Sequence, residues 1–452
     1  MVSRRQFVSL VGRAGAGVGV ARPKAWMARR PAFGPGALRA VIDAASVAGD
    51  RSPDRVALDE SYWATIRSAF ALDPSLIYLN SAGCSPTPRD VLDGMIRELR
   101  YSNEAPVQYM WRELEPRVEM VRRALAAEFG CDPDEIAVTR NASEANQIAI
   151  LGLDLRAGDE VIVTTHNYDR MLTTWDQRTD REGVVVRRVA LEMPPHSDDD
   201  VVARIGAAIT SRTRVIELPQ LTNWTGQPLP IPAIVSLARS RGVPVIVDGA
   251  QGFAHTPTRR DELACDYYGA SLHKWLLAPV GTGFLYVRRD LIDHLWPLTP
   301  APSTMRGNIR KFEEIGTHPA ANHNAIIAAL AFHQGIGGAR KLARLRYLRD
   351  RWARALLAES ERVRIRTPLD DPRSGALAML EVDGLDPVDL YHWLWTQFRM
   401  VTSPTSFAGV SGLRVSPNVF TAVAEIDTLC DAIRHVLRFG TRGAPPRHRS
   451  VP

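Results

Sequence analysis

Lysine is nearly absent from this 452-residue chain. Lys24, Lys274, Lys311 and Lys341 are the only four, and arginine supplies almost all the remaining positive charge. A solvated surface cation is therefore normally an arginine here. A lysine kept against that habit invites a chemical explanation, because an amine can shed its proton and attack a carbonyl whereas a guanidinium stays protonated. Lys274 stands in SLHKWLLAPVGTGFLYV (271–287), between a histidine and a tryptophan and ahead of an apolar run. From that stretch alone, a lysine snorkelling at a strand end is an equal competitor.

Cysteine is as scarce. Cys84, Cys131, Cys265 and Cys430 lie far apart with no CxxC or Cys/His spacing, which argues against a structural zinc site or a disulfide framework. They read as small core residues or free thiols. Long apolar runs are missing too: the mildly apolar stretch that ends near Val20 is interrupted by Arg13 and is shorter than the about 20 residues that span a bilayer. Acid is absent from residues 1–42, which hold eight Lys or Arg; the chain's net charge is +6, so the rest is slightly acidic. A nucleic-acid reader carries its basic stripe on the folded body, so no nucleic-acid partner is expected. With 45% hydrophobic residues, the chain can bury a large core divided over two or three domains.

The opening SRRQFVSLVG, with Arg4 and Arg5, resembles a twin-arginine export signal, and AGA at 14–16 offers a small-x-small exit. Residues 1–30 are therefore expected to be a leader that directs export to the periplasm or beyond, without a stable membrane anchor. A basic leader on a cytoplasmic protein is the alternative.

From about residue 75, short β-branched runs alternate with helical patterns, the signature of a doubly wound α/β domain. Strands are expected at 76–80, 135–139, 160–165, 184–189, 214–218, 243–247, 267–271 and 283–287, about seven of them in one sheet. Helices are expected at 88–101, 111–129, 143–152, 198–210 and 231–241. Beyond 320 the pattern changes to one long helix over roughly 322–360, two strands and two further helices, which reads as a smaller α+β domain. The expected division is an N-terminal segment over 31–75, a large domain over 76–320, a small C-terminal domain over 321–440 and a tail over 441–452.

In VPVIVDGAQG a buried parallel strand ends in Asp248. Open α/β sheets bind ligands beyond the carboxyl ends of their strands, although an Asp there is often only a cap. Twenty-six residues later comes Lys274. A carboxylate that keeps a pyridine nitrogen protonated and an amine that forms a Schiff base with an aldehyde are what pyridoxal 5′-phosphate requires.

On VDGAQG and SLHKWLLAPVGTGFLYV, in that order and spacing, the chain resembles the class V aminotransferase family of fold-type-I pyridoxal-phosphate enzymes, and within it the isopenicillin N epimerase-like proteins, over roughly 75–435. The resemblance implies that fold, with a large mainly parallel seven-stranded domain, and a homodimer. It implies catalytic roles for Lys274 and Asp248. TRNASEANQIAI resembles the phosphate turn, with Ala142, Ser143 and Glu144 at a helix start whose N–H groups favour an anion, unless Ser143 is a simple cap. Ser271 and His273 are implied as further phosphate contacts, and Asn223 and Gln251 as contacts to the ring. Alignment to Trp175 gives Tyr168 as the ring-stacking residue, with His166 its rival. FEEIGTH (312–318) resembles a loop reaching the neighbouring subunit's phosphate through Gly316 and Thr317, and Arg414 matches the arginine that grips a substrate carboxylate. Tyr109 and Trp111 are candidates for the substrate entrance, although such aromatics are more often packing.

The resemblance leaves the reaction open, since one cofactor serves many chemistries. An amino acid or amino-acid-derived substrate is expected, with transamination or epimerisation as the reaction. A carbon–sulfur lyase is the alternative within the fold, and a non-catalytic cofactor-binding protein the alternative outside catalysis. Cysteine desulfurases need a nucleophilic Cys between the dimer loop and the substrate arginine, and none lies between Cys265 and Cys430. A nicotinamide enzyme is excluded because the only glycine cluster of that type, GRAGAGVG, sits in the leader with no strand before it.

Overall fold

Seven of the eight strands expected between residues 76 and 287 share one sheet, and the first does not. The computed structural model describes residues 36–441; the expected leader over 1–30 and the tail from 442 onward lie outside the described residues. In chain order the strands are β1 (Ile77–Tyr78), β2 (Ile136–Thr139), β3 (Glu160–Thr164), β4 (Val185–Val189), β5 (Thr213–Pro219), β6 (Val245–Asp248), β7 (Tyr267–Ser271) and β8 (Gly283–Val287). β2 to β8 form a sheet of order β2-β8-β7-β6-β5-β3-β4, in which only β8 runs against its neighbours.

Most of these strands are buried on both faces, which is why they read as continuous apolar runs rather than alternating ones. One face packs Val138, Leu218, Val247 and Tyr268 against Phe129 and Val235. The other packs Val161, Val215, Ile246 and Tyr267 against Ile148 and Trp175. Trp175 belongs to a helix over Asp169–Glu182 that is missing from the expected set; its DRMLTTWDQRTDRE is mostly polar, and only a narrow stripe with Met171, Leu172 and Trp175 is buried.

The run at 76–80 shrinks to β1, which pairs in parallel with β11 (Met400–Val401) in a sheet of its own. β9 (Val363–Ile365), β10 (Ala378–Val382), β12 (Ser403–Phe407) and β13 (Val410–Val415) form an antiparallel sheet of order β12-β13-β10-β9. Leu380 and Leu413 from this sheet pack with Trp352, Trp393 and Ile433 from three helices. The single helix expected over 322–360 is two, Ala320–Ile336 and Gly338–Glu359, parted by Gly337 at φ +87°, a left-handed backbone that glycine adopts without strain. Residues 53–68 pack on the second of these helices: buried Arg344 donates to Ala57 O at 2.9 Å and lies over the Trp63 ring at 5.4 Å. Among the described residues, no helix is long and apolar enough to cross a membrane, and no cluster of His, Cys, Asp and Glu could hold a metal ion.

Candidate active site

The carboxyl ends of β2, β3, β5, β6 and β7 lie on one side of the sheet, and the segments that leave them surround a cavity of about 370 Å³, a size suited to a small ligand. β2 leads into Ala142 and Ser143, β3 into Tyr168 and β5 into Asn223. β6 ends in Asp248 and leads to Gln251; β7 ends in Ser271 and leads to His273 and Lys274. Arg414 enters from β13 of the smaller sheet, and Ala82 and Gly83 from the segment after β1.

Ten residues expected at the site therefore line one cavity. The helix Ala142–Gly152 starts at its edge: the Ala142 N–H donates to Ser271 Oγ at 2.9 Å, and Asn141 caps the Glu144 N–H at 2.8 Å. Two glycines allow this close packing. A Cβ on Gly283 would stand 2.6 Å from Asn141 Cα, and one on Gly269 would stand 2.1 Å from Asn146 Oδ1.

Lys274 makes no hydrogen bond or ion pair with the described residues. Burial is the main reason that its amine falls to about 8; Asp248 opposes the fall, Arg414 adds to it, and Cys84 opposes it. Asp248 is raised by burial, against the Ala250 N–H at 2.9 Å and the Lys274 charge. His273 is driven down to about 4 by burial and by Lys274, so its ring is neutral at physiological pH. Arg414 donates to Asn223 O at 2.7 Å and to Asn80 Oδ1 at 2.9 Å, with Trp224 beneath it at 4.8 Å. Burial lowers it to about 10, which leaves it cationic at neutral pH.

Three expected residues do not line the cavity. The Glu144 side chain turns back to Arg140, pairing at 2.6 Å, so the helix start, and not this carboxylate, faces the site. Gly316 and Thr317 are exposed, on a segment whose Glu313 is pinned at 2.7 Å by buried Arg122. Tyr109 and Trp111 are also absent from the lining: Tyr109 stacks on Tyr101 at 4.2 Å and Trp111 is exposed. His166 is buried, with Nε2 at 3.1 Å from Leu191 O, leaving Tyr168 as the aromatic residue in place. Gln251 is committed differently from expectation, accepting from Trp275 Nε1 and donating to Ala82 O, both at 2.9 Å.

Sequence reasoning missed Asn146, Asp169, Arg170 and Trp224 in the lining, and Cys84, whose Sγ is 3.7 Å from His273 O. Asn146 is buried in the middle of a helix, and the polar residue facing inward in NASEANQIAI was its only signal. Both amide atoms of Asn146, Asn223 Oδ1, His273 Nδ1 and Arg414 Nε are buried without a protein partner. Buried polar atoms are normally paired, and their convergence on one cavity fits a polar, anionic ligand there.

The chain matches the family model for aminotransferase class-V over residues 77–429. The isopenicillin N epimerase of Amycolatopsis lactamdurans is 31% identical over 83% of this chain and 98% of its own length. A cysteine desulfurase of Haloferax volcanii is 27% identical over 79% of this chain and 88% of its own. Among solved structures, the cysteine desulfurase CsdA from Escherichia coli superposes with a TM-score of 0.72 at 24% identity, over 83% of this chain and 98% of that one, a likeness of fold. The chain belongs to the aminotransferase class-V family, with the fold-type-I architecture.

Proposed function

We propose that this class V pyridoxal-phosphate enzyme moves the α-proton of an amino acid or amino-acid-derived substrate and returns it with inversion, as an epimerase. The observation that carries the reading is the meeting of Lys274, Asp248 and Arg414 at one cavity, with the lysine amine unbonded and lowered to about 8. Pyridoxal 5′-phosphate, when bound, supplies an aldehyde for a lysine amine and a ring that withdraws electrons from the substrate's α-carbon. Ser143, Ser271 and His273 at the helix start suit its phosphate, and Asp248 suits its ring nitrogen. Tyr168 offers a flat face to the ring. Lys274 takes the proton from the α-carbon as general base, and Arg414, held by Asn80 and Asn223, grips the α-carboxylate with its planar fork.

Similarity to an isopenicillin N epimerase over nearly its whole length favours epimerisation over transamination. Sulfur extraction by a cysteine nucleophile is disfavoured: Cys84 does not line the cavity, its Sγ is directed to the carbonyls of Ser85 and His273, and burial raises its thiol. The resemblance of FEEIGTH (312–318) to a loop that reaches the neighbouring subunit supports a homodimer in which each subunit completes the other's site; Gly316 and Thr317 are exposed. The twin-arginine resemblance supports export, which a reporter fused to residues 1–30 tests by its compartment.

The deciding experiment incubates the cofactor-loaded protein in D2O with a panel of amino acids and isopenicillin N. α-Deuteration with inversion supports the epimerase. Release of a keto acid without ammonia or sulfide makes the protein an aminotransferase, and release of a keto acid together with ammonia and sulfide a carbon–sulfur lyase. Cofactor binding without any exchange makes it a non-catalytic binder.

A further inference from the structure

Glu217 is a carboxylic acid inside a strand that is buried on both faces. It is 0% exposed on β5, where side chains alternate, so it shares a face with Val215. By the same alternation Asp248 shares a face of β6 with Ile246. Val215 and Ile246 belong to one apolar cluster, and the strand register sets Glu217 opposite Ile246 and Pro219 opposite Asp248. The two carboxyl groups therefore lie on the same face of neighbouring strands, one pleat apart.

Nothing cationic answers Glu217. Trp175 Nε1 donates to its Oε2 at 3.0 Å, Asn167 Nδ2 donates to its backbone carbonyl at 2.9 Å, and Oε1 has no partner. Glu160, equally buried at the start of β3, shows the contrast: Arg187 and Arg212 pair with it at 2.6 and 2.7 Å. A buried carboxylate without such partners is unfavourable, and the group keeps its proton instead.

We propose that Glu217 is a positioning residue, a protonated carboxylic acid set beside Asp248 that leaves Asp248 the single anion at the cofactor's ring nitrogen and couples that site to a second exchangeable proton. The part of this inference that concerns the ring rests on the pyridoxal-phosphate reading. Burial, and after it the Asp248 charge, push the Glu217 carboxyl up to about 8, against Trp175 and Asn167. The groups that face it are Asp248 from β6, with Lys274 acting on Asp248 from beyond β7, and the uncharged Trp175 and Asn167 from the segments after β3. Once Glu217 ionises, two negative charges share one face of the sheet, and any proton held against Asp248 is bound more tightly.

The test is infrared difference spectroscopy of the apoprotein between mildly acidic and alkaline pH, on wild type, Glu217→Gln and Trp175→Phe, followed by a pH titration of the visible band of the cofactor-loaded proteins. The wild type is expected to show the carbonyl stretch of a protonated acid at neutral pH, lost with a midpoint of about 8. Glu217→Gln lacks that band. Trp175→Phe keeps it with a higher midpoint, because the indole N–H favours the ionised form; this arm decides the matter if the Gln variant does not fold. In the loaded protein, Glu217→Gln lowers the alkaline midpoint of the visible band by about one pH unit at undiminished intensity. A wild type with no protonated acid at neutral pH, a band that survives Glu217→Gln, or identical visible midpoints would overturn the proposal. If no variant forms a visible band, the pyridoxal-phosphate reading fails, and the infrared arm still decides the state of Glu217.

Discussion

At the residue scale, the scarcity of lysine marks burial more broadly than it marks chemistry. Lys311 is 4% exposed and donates to Ile292 O and Arg306 O at 2.6 and 2.7 Å; Lys341 is 1% exposed and donates to Trp275 O, with His333 Nδ1 at 3.4 Å. Among the lysines of the described residues, Lys274 is the one without a hydrogen-bond or ion-pair partner. Buried arginines also donate to backbone carbonyls, as Arg344 does to Ala57 O, but the ammonium is the more compact group and the Lys341 site is fully enclosed. Lys341→Arg is accordingly expected to overpack its site and cost about 1–3 kcal/mol in urea denaturation; a variant of unchanged stability would show that the site has room. The electrostatics of Lys274 give a signed prediction. Its amine in the apoprotein, followed by pH-dependent acylation, titrates near 8. Arg414→Gln removes a like charge and moves that midpoint up, whereas Asp248→Asn removes an opposite charge and moves it down. Shifts in the reverse directions would mean that the three groups do not share one site.

At the scale of elements, the strands of the large sheet were readable because burial on both faces leaves unbroken β-branched runs such as EVIVT and VIVD. The residues placed by strand ends, Asp248, Ser271 and Lys274, were readable with them. What escaped depends on contacts that local sequence does not carry. LIYLN looks like any other strand, yet β1 pairs with β11, more than three hundred residues away. Gly337 breaks a helix inside an otherwise continuous Ala/Leu/Arg pattern, and the polar helix Asp169–Glu182 buries only a narrow stripe. Glu217 stood in plain view in RVIEL, but a charge in an apolar strand signals a buried acid only once both neighbouring strands are known. The phosphate-turn helix depends on a close approach to β7, and Gly269→Ala tests it. The added Cβ, 2.1 Å from Asn146 Oδ1, displaces that amide, costs about 1–3 kcal/mol, and slows formation of the visible band. Unchanged stability and band formation would mean that Asn146 has no part in seating the helix.

At the scale of the whole molecule, Arg414 comes from the antiparallel sheet, Ala82 and Gly83 from the segment after β1, and the rest of the lining from segments at the strand ends of the seven-stranded sheet, so the cavity exists only when all three are assembled. The proposed homodimer would add a further requirement, which subunit mixing examines. Lys274→Ala and Thr317→Arg chains, each inactive alone, are expected to regain activity as heterodimers, because one site then holds an intact lysine and an intact loop; mixtures without recovery would show that the loop does not serve the neighbouring site. The most direct measurement is the absorption spectrum of the protein with pyridoxal phosphate, before and after borohydride, with peptide mapping of the reduced adduct. A visible band that borohydride removes, leaving phosphopyridoxyl on Lys274, is expected, with no such band in Lys274→Ala. A band that persists in Lys274→Ala, or a label on another lysine, would contradict this expectation.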